Sequence, residues 1–184
     1  MDTGFKLETA RLTIRDWEPE TDADQASKIY GDSAVTQWLS DRHPAKTPAE
    51  VRDRLQHYCD RFYTHNNGTG VWAVVEKATG QAIGSILLVQ LPDSQGDLTQ
   101  NFEIGWHFCP ASWGQGFATE AARAIVNYGF EQLGLDILYA VTLPDNHPSI
   151  KVMQRLGMTP LGITQHYHGG TALELFKLER SPQH

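Results

Sequence analysis

An α/β fold is predicted by three features of the sequence. Short segments alternate apolar and polar residues with the period of two that marks strands, the stretch Thr119 to Leu133 repeats its apolar residues with a helical period, and a glycine-rich turn joins a strand to that helix. The chain has 184 residues, 40% of them hydrophobic and 10% aromatic. That is enough to bury a core, and at about 150 residues per domain residues 1–184 are expected to form one unit.

Leu12 and Ile14 alternate with Arg11, Thr13 and Arg15, which predicts a first strand over Arg11 to Asp16. A polar helical stretch follows Pro19 and runs to about Tyr30. Thr47-Pro48-Ala49-Glu50 then supplies an N-cap, a proline at the first helical position and a capping-box glutamate, opening a helix to about Thr64. Strands over Val71 to Glu76 and Ala82 to Val89 form a hairpin about Ala78-Thr79-Gly80. Past a polar loop, Pro92 to Asp97, the next strand places Phe102, Ile104, Trp106 and Phe108 on one face and Glu103, Gly105 and His107 on the other.

The helix over Thr119 to Leu133 carries Ala122, Ile125, Val126, Gly129, Phe130 and Leu133 on one stripe, and Gly134 is its C-cap glycine. A strand over Leu138 to Leu143 leads to Asn146-His147-Pro148-Ser149, which opens a short helix with the stripe Ile150, Met153, Leu156, closed by Gly157. Two last strands, Thr159 to Tyr167 and Thr171 to Glu179, flank the turn His168-Gly169-Gly170. No internal repeat or long linker divides the chain.

Fifteen Lys and Arg against 22 Asp and Glu leave a net charge of −7, which disfavours a nucleic-acid partner and favours a cationic one. No stretch approaches the roughly 18 apolar residues of a membrane span, and the N-terminus lacks a basic-then-apolar leader pattern, so a cytoplasmic protein without a membrane partner is expected. Cys59 and Cys109 are too few for a disulfide framework and are expected to be reduced thiols. Cys109, His107, His166 and His168 show no metal-ligand spacing, so no metal is expected.

The chemistry concentrates in Trp113-Gly114-Gln115-Gly116-Phe117-Ala118-Thr119-Glu120. Two glycines let the backbone approach a ligand, and the free N–H groups and positive end of the following helix favour a phosphate or diphosphate. An ordinary strand-to-helix turn would use the same residues. No lysine follows Gly116, so a P-loop is a poor fit, and position 119 is Thr, so GxGxxG is a poor fit too.

This stretch resembles the GNAT superfamily of acyl-CoA-dependent N-acyltransferases. Their signature, Gln or Arg, two residues, Gly, one residue, Gly or Ala, is matched at all but its first position by Trp113 to Ala118. Trp113 is at home in the branch resembling ribosomal-protein N-terminal (alanine/serine) acetyltransferases. That branch also resembles this chain in Glu103-Ile104-Gly105, Pro110 and Ala118-Thr119-Glu120. Asp145 to Ser149 and Leu156-Gly157-Met158 are similar to the family's Asn-x-x-Ser and Leu-Gly-Phe, with Met158 for the usual Phe.

The resemblance implies the GNAT fold, a mixed central sheet of about six to seven strands with helices on both faces, and acetyl-CoA as acyl donor. It implies that the backbone at Trp106, His107 and Phe108 binds the pantetheine arm like an added strand between splayed strands. Trp113, Gly114, Gln115, Gly116, Phe117, Ala118 and Thr119 would wrap the diphosphate, and Asn146 would contact the pantetheine or simply cap its helix.

Attack of an amine on a thioester requires loss of a proton, an oxyanion donor and a group to meet the departing sulfur. Glu103 stands near the family's general-base position, although a strand glutamate can equally be only the partner of a nearby arginine. A backbone N–H near His107 would serve the oxyanion. The Tyr that many relatives carry seven residues after the Asn is Met153 here, so Ser149 is the candidate at the sulfur, unless it only starts its helix. His166, Tyr167 and His168 lie at the last hairpin near the acceptor entrance, or are solvated turn residues, and Trp38, Tyr58 and Phe62 line the acceptor groove or form core.

An N-acetyltransferase acting on a primary amine is therefore expected, with the N-terminal α-amine of a protein or peptide, such as a ribosomal protein, as acceptor. A small amine, an aminoglycoside or polyamine, is the alternative acceptor. The missing Tyr motivates a different class, a non-catalytic acyl-CoA-binding sensor. Oligomeric state is not legible, a homodimer being among the options.

Overall fold

The computed structural model describes residues 4–181. In chain order the elements are β1 (Lys6–Glu8), β2 (Leu12–Arg15), α1 (Pro19–Tyr30), α2 (Ser33–Thr36), α3 (Pro48–His65), β3 (Gly70–Glu76), β4 (Gln81–Pro92), β5 (Leu98–Phe108), α4 (Phe117–Glu131), β6 (Ile137–Thr142), α5 (His147–Arg155), β7 (Thr159–Thr164) and β8 (Leu173–Glu179). One eight-stranded sheet runs β1-β2-β3-β4-β5-β6-β8-β7. Neighbours are antiparallel except β5 and β6, which run parallel and meet at a single bridge, Glu103 to Tyr139.

The α/β class and the mixed sheet are as expected, but the strand count exceeds six to seven. The additional strand is β1, whose three residues show no periodicity and which exists because β2 pairs with it. Strand β5 begins at Leu98 rather than Phe102, since the polar run before Phe102 is held by its pairing with β4 and not by its own pattern. Strand β7 stops at Thr164, and His168–Gly170 form a short 3-10 turn before β8.

Helices cover both faces. Adjacent rows of the β3–β4–β5 ladder point to opposite sides, so the row Trp72, Ile86, Trp106 and the row Ala73, Ser85, His107 face different layers. Tyr128 of α4 lies edge-on to Trp72, which also stacks with Phe5 at 4.0 Å. Tyr30 of α1 meets His107 on the other side, with Tyr58 of α3 beside it.

Helix α4 buries Phe117, Ala121, Ala122, Ile125 and Val126. Each large apolar side chain so buried contributes about 1.5–3 kcal/mol, which outweighs helix propensity in holding α4 on the sheet. It begins at Phe117, two residues earlier than its apolar stripe indicated, because Gly116 turns the chain with φ +81°. Its far end reverses at Gly134 (φ +68°), where the Leu135 N–H returns to the Gly129 carbonyl.

Candidate active site

The opening between β5 and β6 is set by register. Cys109 N–H donates to the Ile83 carbonyl at 3.0 Å, and antiparallel ladders alternate such pairs, so counting back by two turns the backbones of His107, Gly105 and Glu103 toward β4. The backbones of Phe108, Trp106 and Ile104 therefore face the β6 side, where pairing has ended after Glu103. Of the three residues expected to offer backbone here, Trp106 and Phe108 turn theirs toward the opening, whereas the His107 N–H belongs to the β4 ladder. The Phe108 carbonyl is already taken by the Trp113 indole N–H at 2.7 Å, which ties the glycine turn to the end of β5.

The glycine turn is held by Thr9 and Arg11 of the β1–β2 connection. Glu120 accepts hydrogen bonds from the Thr9 hydroxyl (2.6 Å), the Arg11 N–H (2.9 Å) and Arg11 Nε (2.7 Å). Burial opposes ionisation of Glu120, but these donors prevail and hold its pKa below the ordinary carboxylate value. Arg11 also donates to the Gln115 carbonyl at 3.0 Å and lies 4.4 Å over the Phe117 ring. Neither Arg11 nor its pairing with Glu120 was legible in the sequence, where the two stand 109 positions apart.

The ligand side of the turn is open. Among the described residues, a side chain on Gly114 would meet nothing within 4 Å, no side chain caps α4, and the buried Thr119 hydroxyl has no partner. Arg123 and Arg155 stand on the same cleft, alongside Arg11. Free helix N–H groups, room for an approaching backbone and guanidinium groups fit a diphosphate. Gln115 contributes its backbone, since its side chain donates to the Ala111 carbonyl; Phe117 is buried and Ala118 half-buried beneath the turn.

A cavity of about 320 Å³ adjoins Trp106, and Glu103, His107, Asn146, Ser149, Met153 and His168 all reach it. Asn146 does cap α5: its Oδ1 accepts from the Ser149 N–H at 3.4 Å and its Nδ2 donates to the Thr142 hydroxyl at 3.0 Å. Met153 is fully buried one turn beyond Ser149 and can donate nothing. Glu103 is buried, 8% exposed, and its Oε2 lies 3.0 Å from His168 Nε2. The glutamate thus has a hydrogen-bonding partner, and it is the hairpin histidine rather than an arginine. Burial lowers the His168 pKa, yet the contact with Glu103 outweighs this and raises it above the usual histidine value.

His107 behaves in the opposite way. Burial, reinforced by the Arg54 guanidinium, pushes its pKa down to about 4, so it is a neutral imidazole whose Nδ1 lies 3.4 Å from the Tyr30 hydroxyl. Of the expected acceptor-side aromatics, Trp38 and Tyr58 line the cavity; the Phe62 side chain lies outside the described residues. His166 is exposed, and the Tyr167 hydroxyl accepts from Asn101 Nδ2 at 2.8 Å. Arg42, Arg54 and Arg61 line the helical side together with Asp41, which pairs with Arg54. The net charge of −7 therefore does not describe the local field at the cavity. No cluster of potential metal ligands is found among the described residues.

Residues 11–159 match the model of the acetyltransferase (GNAT) domain. The uncharacterized N-acetyltransferase p20 of Bacillus licheniformis is 30% identical over 161 residues, covering 88% of this chain and 86% of that protein. Among solved structures, a GNAT-family acetyltransferase from Bacillus anthracis superposes with a TM-score of 0.77 at 23% identity, covering 95% of this chain and 98% of that one. RimL, described as a ribosomal L7/L12 alpha-N-protein acetyltransferase in complex with coenzyme A, gives a TM-score of 0.76 at 12% identity over 95% of this chain and 98% of that one. At these identities the structures speak for the fold, whereas the domain match and the p20 similarity speak for the family. The chain belongs to the GNAT acetyltransferase family and is an acyltransferase that works by acetyl transfer.

Proposed function

We propose that this enzyme acetylates the N-terminal α-amine of a protein or peptide, such as a ribosomal protein, using acetyl-CoA as donor. The observation that carries the reading is the outward-facing backbone of Trp106 at the β5–β6 opening, flanked by the glycine turn on one side and the cavity of Glu103 and Ser149 on the other. Acetyl-CoA supplies the activated thioester carbon. Gly114, Gly116 and the free N–H groups of Phe117, Ala118 and Thr119 hold the diphosphate, and the Trp106 backbone pairs with the pantetheine amides. The Trp106 or Phe108 N–H, rather than that of His107, meets the developing oxyanion, and Ser149 hydrogen-bonds the sulfur.

Acid–base arithmetic supports the α-amine. Its reference pKa is about 7.7–8.0 against about 10.4 for lysine, so at neutral pH roughly two to three powers of ten more of it is already neutral. The cavity arginines count against polycationic aminoglycosides and polyamines, which they would repel. Cytoplasmic location is part of the proposal and accords with the free thiols Cys59 and Cys109.

The test is mass-spectrometric detection of acetyl transfer across a panel holding a free-N-terminus peptide, the same peptide blocked but carrying lysine, an aminoglycoside and a polyamine. Higher kcat/KM for the free α-amine is expected. Preference for the blocked lysine peptide or for the small amines would overturn the acceptor assignment.

A further inference from the structure

We propose that His168 is the catalytic base of this enzyme and that Glu103 is a positioning residue that fixes the imidazole. This rests on the acetyl-transfer reading above and names which group takes the proton.

The geometry orders the pair. Glu103 is anchored on β5 in the middle of the sheet, whereas His168 belongs to the connection between β7 and β8 and reaches the cavity wall only by crossing to β5. Its backbone is held in the left-handed region at φ +48°, which a non-glycine residue adopts at a cost, and Gly169 and Gly170 continue at φ +71° and +79°. The turn is tied down on both sides. Asp93 and Tyr167 form an isolated bridge, Gly170 N–H bonds the Tyr167 carbonyl at 3.1 Å, and Asn101 holds the Tyr167 hydroxyl. A strained turn so restrained delivers one side chain to one place.

A carboxylate only accepts, so its contact keeps a proton on Nε2 and leaves Nδ1 as the lone pair. No partner is found for Nδ1 among the described residues, and the His168 side chain is 25% exposed on the cavity. Glu103, by contrast, already spends Oε2 on the histidine. The arrangement has the logic of a carboxylate orienting an imidazole base, with the carboxylate also stabilising the imidazolium that forms. Among the described residues Glu103 is the one charged group at hydrogen-bond distance from His168; Asp41, Arg42, Arg54, Tyr58 and Arg61 line the same cavity from α3 and the segment before it, and His107 lines it from β5.

In the step itself, the amine nitrogen forms a bond to the thioester carbon, the carbon–sulfur bond breaks, and its electron pair leaves with the sulfur as thiolate. The proton shed by the nitrogen goes to His168 Nδ1. The imidazolium then returns it to the thiolate or to solvent, so that amide and free thiol are the products.

The experiment compares wild type, His168→Gln, His168→Ala and Glu103→Gln with acetyl-CoA and a free-N-terminus peptide, after thermal melts and calorimetric CoA binding show that each variant folds and binds donor. His168→Gln should lose about 10²–10⁴-fold in kcat with donor affinity unchanged. The wild-type kcat should rise with pH through a midpoint above the ordinary histidine value, a limb absent from both His168 variants and shifted to lower pH in Glu103→Gln. Imidazole in the buffer should restore part of the turnover of His168→Ala. Wild-type kcat in His168→Gln, or a Glu103→Gln loss deeper than that of His168→Gln with no shift of the limb, would overturn the assignment. Absence of turnover by the wild type on every acceptor would instead strike the acetyl-transfer reading beneath it.

Discussion

Replacing His107 by glutamine tests the most perturbed group beside the cavity. In the folded chain burial and the neighbouring Arg54 keep the imidazole neutral down to about pH 4, against an ordinary value of 6.5. The unfolded chain therefore binds the extra proton first, and between pH 6.5 and pH 4 stability falls as the solution is acidified. At about 1.36 kcal/mol per pH unit, and with part of the effect screened because the side chain is half-buried, the loss attributable to His107 is about 2–3 kcal/mol at pH 4. For a chain of this size that corresponds to a melting-temperature drop on the order of 5–10 °C.

Glutamine retains an acceptor for the Tyr30 hydroxyl, so His107→Gln should cost about 1 kcal/mol or less at pH 7. Urea melts of both proteins at pH 7, 6, 5 and 4 isolate the histidine, because acid effects on carboxylates such as Glu120 are common to both. The gap between wild type and variant should shrink and then reverse sign as the pH falls. A gap that stays constant from pH 7 to pH 4 would show that His107 titrates normally and that its buried neutral state is wrong.

Glu120→Gln should destabilise by about 1–3 kcal/mol at pH 7 through its three donors; wild-type stabilisation is complete above the ordinary carboxylate pKa of 4.5 and fades as pH falls through the lower folded value, so the gap between the two proteins should narrow progressively in melts taken below pH 4.5. Gly84→Ala would place a methyl 2.5–2.7 Å from Phe108 ring atoms and should lower stability by about 1–3 kcal/mol, an unchanged melting temperature being the contrary result. Gly116→Asp puts a carboxylate at φ +81° beside the cleft proposed for the diphosphate, with Arg11 Nη2 3.5 Å from the new Cβ; helix content by circular dichroism should persist while calorimetric CoA affinity falls at least about tenfold by charge repulsion, and unchanged affinity would remove the glycine turn from the binding site.

Much of this enzyme was legible one residue at a time. The period-two and helical patterns that located β2, β3, β4, α4, β6 and α5 reflect local burial of one face, which each segment carries in its own order of side chains. Gly114 and Gly116 were readable because positive φ is a property of a single residue, and Asn146 because a helix cap is built within four positions. Glu103 and Ser149 could be nominated from their place in a motif.

Tertiary structure decided what those residues touch. Strand β1 and the first residues of β5 have no pattern of their own and are held as strand by pairing. Whether Trp106 or His107 offers its backbone to the opening depends on register with β4, which the sequence of β5 alone leaves undetermined by one residue. The partners Arg11 with Glu120 and Glu103 with His168 are 109 and 65 positions apart. Such pairs arise from how the sheet order and the crossover of α4 fold the chain back on itself. A contact between side chains far apart in the chain leaves no periodic trace in the sequence, and so the pairing of Glu103 with His168 emerged only from the fold.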